Sequence, residues 1–370
     1  MKKLELDKKN TLVNLSNSIL NFFDVAPLNS TYAPLDKLLN ESKKEKIALI
    51  LLDGMGKIVI EKHKDSIPFI YSHIFKEFKS VYPATTVAAT TSLTTGLYPI
   101  QSGYLGWTQY FKDKNDFINV FPSQSKFDHT KKYIPQVQFN ELKVDYIRDL
   151  INSTFKHNAY RIYTFDYRIG KNFLTDYERF FDDADKLVKQ HDFTYIYTEN
   201  PDHLLHQEGV ESDVIKDNLI YLESKIKTLV ENNKDTLFLL TADHGFVNVK
   251  ETNIKNYPDF LETLKFKNFS LEGRFATFFV KNEEKFIELA QKYFGNYFEI
   301  YSKKELIDNN VFGHGTPRDN VYDNIGDYTL VATKDYSLYD LDEPRTFDFR
   351  ANHAGITPEE TELYICVFNQ

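Results

Sequence analysis

Apolar runs of strand length recur along this chain, separated by stretches whose apolar positions repeat with a helical period. Ile47-Ala48-Leu49-Ile50-Leu51-Leu52, Phe193 to Thr198, Thr236 to Thr241 and Thr361 to Phe368 are near-continuous apolar segments, the pattern of strands buried on both faces of a sheet. Phe78 to Tyr82 reads as a further strand ended by Pro83, and Tyr160 to Thr164 as a short one. Helices are expected at Leu15 to Phe23, Leu35 to Leu39, Lys57 to His63, Thr85 to Gly96, Glu141 to Ser153 and Asp213 to Glu231. Strand, helix and strand in succession predict a single α/β domain over residues 1–370, with a mostly parallel central sheet flanked by helices. Residues 250–345 break the pattern with signals of their own, at Ala276 to Val280, Asn282 to Phe294 and Tyr328 to Thr333. This stretch is read as a cap inserted between the last two core segments. Residues 103–179 are aromatic, polar and irregular, and Trp107, Tyr110 and Phe111 there either wall a pocket or fill a local core.

The candidate chemistry lies where the predicted strands end, which is where open α/β sheets bind their ligands. Asp53 directly follows the first apolar run, in Asp53-Gly54-Met55-Gly56, and Asp243-His244 closes the run that ends at Thr241. Asp53 also reads as the N-cap of the helix beginning at Lys57. The Gly-x-Gly at this turn lacks the third glycine of a dinucleotide fingerprint, which excludes that reading. Thr85 or Thr86 caps a threonine-rich helix closed by Gly96, and free N–H groups at a helix start accommodate an anion.

Asp202-His203-Leu204-Leu205-His206 follows the strand at Phe193 to Thr198, and Asn352-His353-Ala354-Gly355 leads into the last strand. Singly, these fragments have bland readings: an exposed helix pair, a strand-end turn, a loop histidine. Together they supply three aspartates (Asp53, Asp202, Asp243), three histidines (His206, His244, His353) and the Thr86 hydroxyl. Oxygen and imidazole donors without thiolates suit two divalent ions, zinc first, with manganese or iron as alternatives. Such a pair clamps an in-line phosphoryl displacement, and coordination would activate Thr86 as a nucleophile, with a covalent phospho-threonine intermediate.

Composition narrows the partners. A formal net charge of -9 argues against binding nucleic-acid polymers and leaves a small phosphate ester as the expected substrate. The one cysteine, Cys366, excludes an intrachain disulfide framework and sits in an apolar run. The start, Met1 to Lys9, is basic without a following apolar stretch of signal-peptide length, and no segment reaches the ~18 apolar residues of a membrane span. The expected compartment is the cytoplasm, with no membrane partner, and the oligomeric state is left open.

The fragments, taken in order, resemble the alkaline phosphatase superfamily, and within it the type I phosphodiesterase/nucleotide pyrophosphatase branch. The resemblance rests on Leu51-Leu52-Asp53-Gly54-Met55, on Pro83-Ala84-Thr85-Thr86 through Thr95-Gly96-Leu97-Tyr98-Pro99, on Asp202 with His206, on Ala242-Asp243-His244-Gly245, and on His353-Ala354-Gly355-Ile356-Thr357-Pro358-Glu359-Glu360. It implies an alkaline-phosphatase-like three-layer sandwich. It also implies that Asp202, His206 and His353 hold one metal, that Asp53, Asp243 and His244 hold the other, and that Thr86 bridges to the second as nucleophile, with Thr85 its nearest competitor. His203 and His314 have no fixed part in the family. The expected activity is hydrolysis of phosphodiester or nucleotide pyrophosphate linkages; the alternatives are a phosphomonoesterase, a phosphonate hydrolase or a mutase on the same metal core, or a metal-binding module that recognises phosphorylated ligands without turnover. This sequence departs from the resembled enzymes at two positions, where Trp107 and Ala89 stand in place of asparagines.

Overall fold

The computed structural model describes residues 9–169, 174–341 and 348–369. The amino-terminal residues 1–8, read above for a leader, and residues 342–345 at the end of the expected cap lie outside the described residues. The most apolar runs assemble into one six-stranded sheet: β1 (Lys46–Leu52), β2 (Ile74–Lys79), β3 (Ala159–Tyr163), β4 (Phe193–Thr198), β5 (Thr236–Thr241) and β6 (Glu362–Phe368), in the order β2-β6-β5-β1-β4-β3. β1 lies at the centre between β5 and β4, parallel to both, and every residue from Ile47 to Leu52 is buried. Burial on both faces is what an unbroken apolar run requires. β6 is the exception to the parallel arrangement, running antiparallel to both β5 and β2. Cys366 is buried within it, and burial pushes its thiol upward, out of the reactive range.

Two elements differ from expectation for local reasons. β2 ends at Lys79 because it is an edge strand with only Phe78 buried, so its apolar alternation in sequence is faint. The helix expected at Glu141 to Ser153 begins at Ile147, after an extended Tyr146. The register then sets the site. Leu51 pairs with Thr241, and Leu52 with Thr198. Asp53 and Asp243, each two residues past the first pair, therefore leave the sheet side by side, while Asp202 opens the helix Asp202–Glu208 just beyond β4.

A second, antiparallel sheet joins two distant stretches of chain. Its seven strands run in the order Phe298–Ser302, Tyr328–Ala332, Phe275–Phe278, Ser270–Glu272, Thr108–Phe111, Asp116–Asn119 and Gln124–Ser125. The helix Glu283–Phe294 packs over it through Phe286 and Phe294, against Phe260, Phe278 and Phe298. Residues 250–332 thus share their sheet with strands from 108–125, joined through the pairing of Leu271 with Thr108. Among the described residues no helix is long and apolar enough to cross a membrane.

Candidate metal and phosphoester site

Three carboxylates converge beyond the ends of β1, β4 and β5. Asp243 is fully buried, and its Oδ1 accepts from the N–H of Gly54 at 3.0 Å and of His244 at 3.0 Å. Asp53 is equally buried, and its Oδ2 accepts from the Tyr197 hydroxyl. The other oxygen of each, Asp243 Oδ2 and Asp53 Oδ1, has no hydrogen-bond partner among the described residues, and neither has the buried Asp202 Oδ1. Buried acceptors are ordinarily satisfied, so three converging unsatisfied ones are a specific feature of this site.

The histidines face the same point. His206 Nδ1 lies 3.0 Å from the Ala351 carbonyl, His244 Nδ1 3.1 Å from that of Gly245, and His353 Nδ1 3.2 Å from that of Ala84. A carbonyl oxygen only accepts, so each Nδ1 carries the ring proton and each Nε2 presents a lone pair inward, the tautomer that metal-binding imidazoles adopt. His244 Nε2 lies 3.4 Å from both Asp53 Oδ1 and Asp243 Oδ2 and 3.8 Å from Asp202 Oδ1. His206 and His353 approach the same Asp202 oxygen at 3.7 and 3.8 Å. The His244 and His353 rings stack with centroids 3.7 Å apart.

The electrostatics of this cluster call for a cation. Burial, then the charges of Asp243 and Asp202, drive the Asp53 carboxyl well above its usual range. Asp202 is raised well above it by burial and by the charges of Asp243, Glu272 and Glu199. Burial lowers His244, and burial together with the neighbouring His244 and His206 lowers His353 much further, so both imidazoles are held neutral. No lysine or arginine among the described residues pairs with Asp53, Asp202 or Asp243. Two groups have the spacing of metal donors: Asp202, His206 and His353, and Asp53, Asp202 and His244, with Asp202 in both. Unsatisfied carboxylate oxygens facing imidazole lone pairs fit divalent cations; the donor set alone leaves the choice of metal open.

Thr86 is the first residue of the helix Thr86–Thr95, and its Oγ1 lies 3.2 Å from His244 Nε2. Thr85 is turned elsewhere: its hydroxyl donates to Glu272 Oε1 at 2.5 Å. The threonine helix is braced from behind by the helix Leu12–Phe22, where Asn17 Nδ2 donates to the Gly96 carbonyl at 2.9 Å and Ser16 to that of Leu93. The side chains of three other residues singled out in the sequence have ring or hydrogen-bond contacts outside the donor cluster. His203 is exposed, 3.3 Å from the Gln207 amide nitrogen, and His314 is exposed, edge-on to Tyr98. Trp107 is 42% exposed, and its ring stands edge-on to Phe121.

Sequence reasoning missed the groups that hold the cluster in place. Tyr197 is an ordinary strand residue in sequence, and only the β1–β4 register sets its hydroxyl on Asp53. Glu360 and Arg274 form a fully buried bidentate pair, at 2.6 Å from Nε and 2.8 Å from Nη2. Glu360 also accepts from the Gly355 N–H at 2.7 Å, and its own carbonyl accepts from the Gly245 N–H at 2.8 Å. One residue therefore ties down the loops that carry His353 and His244. Ala354, between His353 and Gly355, has a φ of +87°, an uncommon conformation for a residue with a Cβ.

The type I phosphodiesterase / nucleotide pyrophosphatase family matches over residues 47–355. No curated protein matches the chain in sequence. Among solved structures, murine ectonucleotide pyrophosphatase / phosphodiesterase 5 is similar with a TM-score of 0.63 at 16% identity, covering 87% of this chain and 88% of that one. Phosphonoacetate hydrolase from Sinorhizobium meliloti 1021, in complex with phosphonoformate, is similar with a TM-score of 0.65 at 14% identity, covering 88% of this chain and 90% of that one. At these identities the likeness is one of fold, that of the alkaline phosphatase superfamily. With a family match that starts in the central strand and runs through the last histidine loop, the chain belongs to the type I phosphodiesterase/nucleotide pyrophosphatase family, a family of metal-dependent phosphoester hydrolases.

Proposed function

We propose that this chain hydrolyses small phosphodiesters or nucleotide pyrophosphate-type linkages, with Thr86 as the nucleophile and a phospho-threonine intermediate. The observation that carries the reading is the convergence of three unpartnered buried carboxylate oxygens and inward-facing imidazole lone pairs beside the Thr86 hydroxyl. Asp202, His206 and His353 would hold one divalent ion, and Asp53, Asp243 and His244 the other, with zinc the first candidate. Bound there, the ions supply positive charge to the attacking and leaving oxygens. The chain's own residues do the rest. The N–H groups that open the Thr86–Thr95 helix, including that of Val87, lack helical acceptors and would donate to the oxygens of a phosphoryl group bound at Thr86. Thr86 Oγ1 loses its proton to solvent and bonds to phosphorus as the bond from phosphorus to the ester oxygen breaks, the leaving oxygen keeping the electron pair and taking up a solvent proton. Water then attacks phosphorus, the bond to Thr86 Oγ1 breaks, and one proton of that water restores the hydroxyl as the phosphate product is released. The carbonyls of Ala351, Gly245 and Ala84 keep the three imidazoles in one tautomer throughout.

The likeness to phosphonoacetate hydrolase supports a second reading, phosphonate hydrolysis on the same residues. The test is metal analysis of the purified protein, followed by turnover of bis-aryl phosphate, mono-aryl phosphate and a phosphonate after reloading with Zn²⁺ or Mn²⁺. About two metals per chain and preference for the diester support the first reading, and preference for the phosphonate the second. Turnover of none of them above an Asp243→Ala control refutes both.

A further inference from the structure

A hairpin of the second sheet brings one more carboxylate to the nucleophile's side of the site. The strand Ser270–Glu272 pairs with Phe275–Phe278 and, through Leu271, with Thr108. Leu271 is buried with a φ of +70°, where a branched side chain is rarely found. The segment leading into the neighbouring strand approaches closely here, since a Cβ at Gly106 would lie 3.0 Å from Leu271 Cα. Beyond this strained residue, Glu272 Oε1 accepts from the Thr85 hydroxyl at 2.5 Å and from the Trp107 N–H at 2.7 Å. The backbone at position 107, where the resembled enzymes have an asparagine, is thus committed to a carboxylate.

No lysine or arginine among the described residues forms an ion pair with Glu272; Lys126, whose charge acts on it from a distance, is paired with Asp340 Oδ2 at 2.7 Å. Burial raises the Glu272 carboxyl to about 7, and its hydrogen bond from Thr85 sets it one residue from Thr86, so the field of its ionised form falls on the nucleophile's end of the site. A phosphomonoester carries close to two negative charges above pH ~6, whereas a diester carries one. The same field therefore opposes the first more strongly than the second.

We propose that Glu272 is a specificity-determining residue, whose carboxylate, planted on Thr85 and the Trp107 amide, disfavours dianionic phosphomonoesters and leaves monoanionic diesters as the substrate class. This deepens the phosphodiesterase reading and rests on the same site. As a general scale, two like unit charges ~8 Å apart in an effective dielectric of ~20 repel by an amount worth roughly 30-fold in discrimination.

The test compares the wild type with Glu272→Gln, which keeps the acceptor oxygen and loses the charge, both reloaded with Zn²⁺ and assayed at pH 8.5. The ratio of mono-aryl to bis-aryl phosphate kcat/KM is expected to rise about 10- to 30-fold. Calorimetric binding of inorganic phosphate, relative to dimethyl phosphate, is expected to tighten by a similar factor, and this second readout needs no turnover. Glu272→Asp, which retains the charge, should keep the wild-type ratios. If the glutamine variant does not fold, Glu272→Ser, whose smaller side chain admits water to the two donors, is read in its place. Ratios unchanged within about twofold in the charge-free variant, or shifted equally in Glu272→Asp, overturn the proposal. Absence of turnover from the wild type counts against the phosphodiesterase reading, while the two binding constants still decide for or against Glu272.

Discussion

Replacing Glu360 by glutamine keeps the shape of the side chain but removes the charge that faces Arg274. Both residues are 0% exposed, and the carboxylate accepts from Arg274 Nε at 2.6 Å and Nη2 at 2.8 Å, from the Gly355 N–H at 2.7 Å, and from Thr357 through its hydroxyl at 2.9 Å. An uncompensated guanidinium in such a place costs about 3–5 kcal/mol, a large share of a typical domain's ~5–15 kcal/mol. Glu360→Gln is therefore expected to lower the urea midpoint markedly without abolishing folding. The double variant Arg274→Met/Glu360→Met removes both charges, so a good part of that stability should return, because apolar replacements of buried pairs are often tolerated. Metal affinity should not return with it. Gly355 lies two residues after His353, and without the Glu360 carboxylate neither the Gly355 N–H nor the strained Ala354 is held. Loss of such a supporting partner typically costs ~10- to 100-fold in metal affinity. Urea unfolding of the chelator-treated protein gives the first quantity, and competition with a chromogenic chelator the second. If the double variant binds Zn²⁺ within about twofold of the wild type, Glu360 is a stabilising residue only, and its assignment to the histidine loop is wrong.

Three further outcomes follow from the same geometry. Thr86→Ala should lower kcat by at least ~10³-fold while metal content per chain is retained, as measured by elemental analysis; residual turnover near the wild-type level would transfer the nucleophile's role to Thr85 or to water. Glu272 has a folded-state pKa of about 7, raised above the ~4.3 of an unfolded glutamate. A raised carboxyl contributes stability that is fully present below ~4.3 and lost as pH rises through about 7, so the melting temperature of Glu272→Gln relative to the wild type should climb by a few degrees between pH 5.5 and 8.5; a pH-independent difference would contradict the burial of this carboxyl. Asn17→Ala removes donors to Val13 and Gly96 at 2.7 and 2.9 Å and an acceptor for the Leu28 and Asn29 amides at 2.6 and 2.9 Å. A loss of about 2–4 kcal/mol in denaturant unfolding is expected, since several partly or fully buried groups lose their partners together.

Much of the sheet was legible because its central strands are buried on both faces, and such strands write themselves as uninterrupted apolar runs. Ile47 to Leu52 and Leu237 to Leu240 leave little choice but a core strand. The edge strand β2 begins at Ile74, ahead of the Phe78 to Tyr82 that its apolar pattern predicts, because only Phe78 of it is buried, and Ile74, Lys76 and Glu77 look like any surface segment. The direction of β6 was not legible at all. An apolar run is equally satisfied parallel or antiparallel, and only the pairings of Leu240 with Cys366 and of Leu363 with Phe78 determine it. Nor was it legible that 108–125 and 270–332 would share one sheet, since strand partners distant in the chain carry no local mark.

The site divides along the same line. Aspartates and histidines at strand ends are visible in sequence because their chemistry is unusual at those places, and the register of β1 with β4 and β5 then brings Asp53, Asp202 and Asp243 to one point. The residues that make the cluster work are commonplace by type. Glu272, Gly273 and Arg274 read as a charged turn, yet the hairpin sets Glu272 on Thr85 and sends Arg274 the other way into Glu360. Gly273 is required between them, because a Cβ there would lie 2.3 Å from the Leu338 carbonyl oxygen. Two residues on either side of this hairpin's glycine thus reach different parts of the site, Glu272 toward the nucleophile's helix and Arg274 toward the loop of His353. Changes in this hairpin should therefore alter substrate choice and metal affinity separately, through Glu272 and Arg274 respectively, whereas a cap that merely covered the site would change both together.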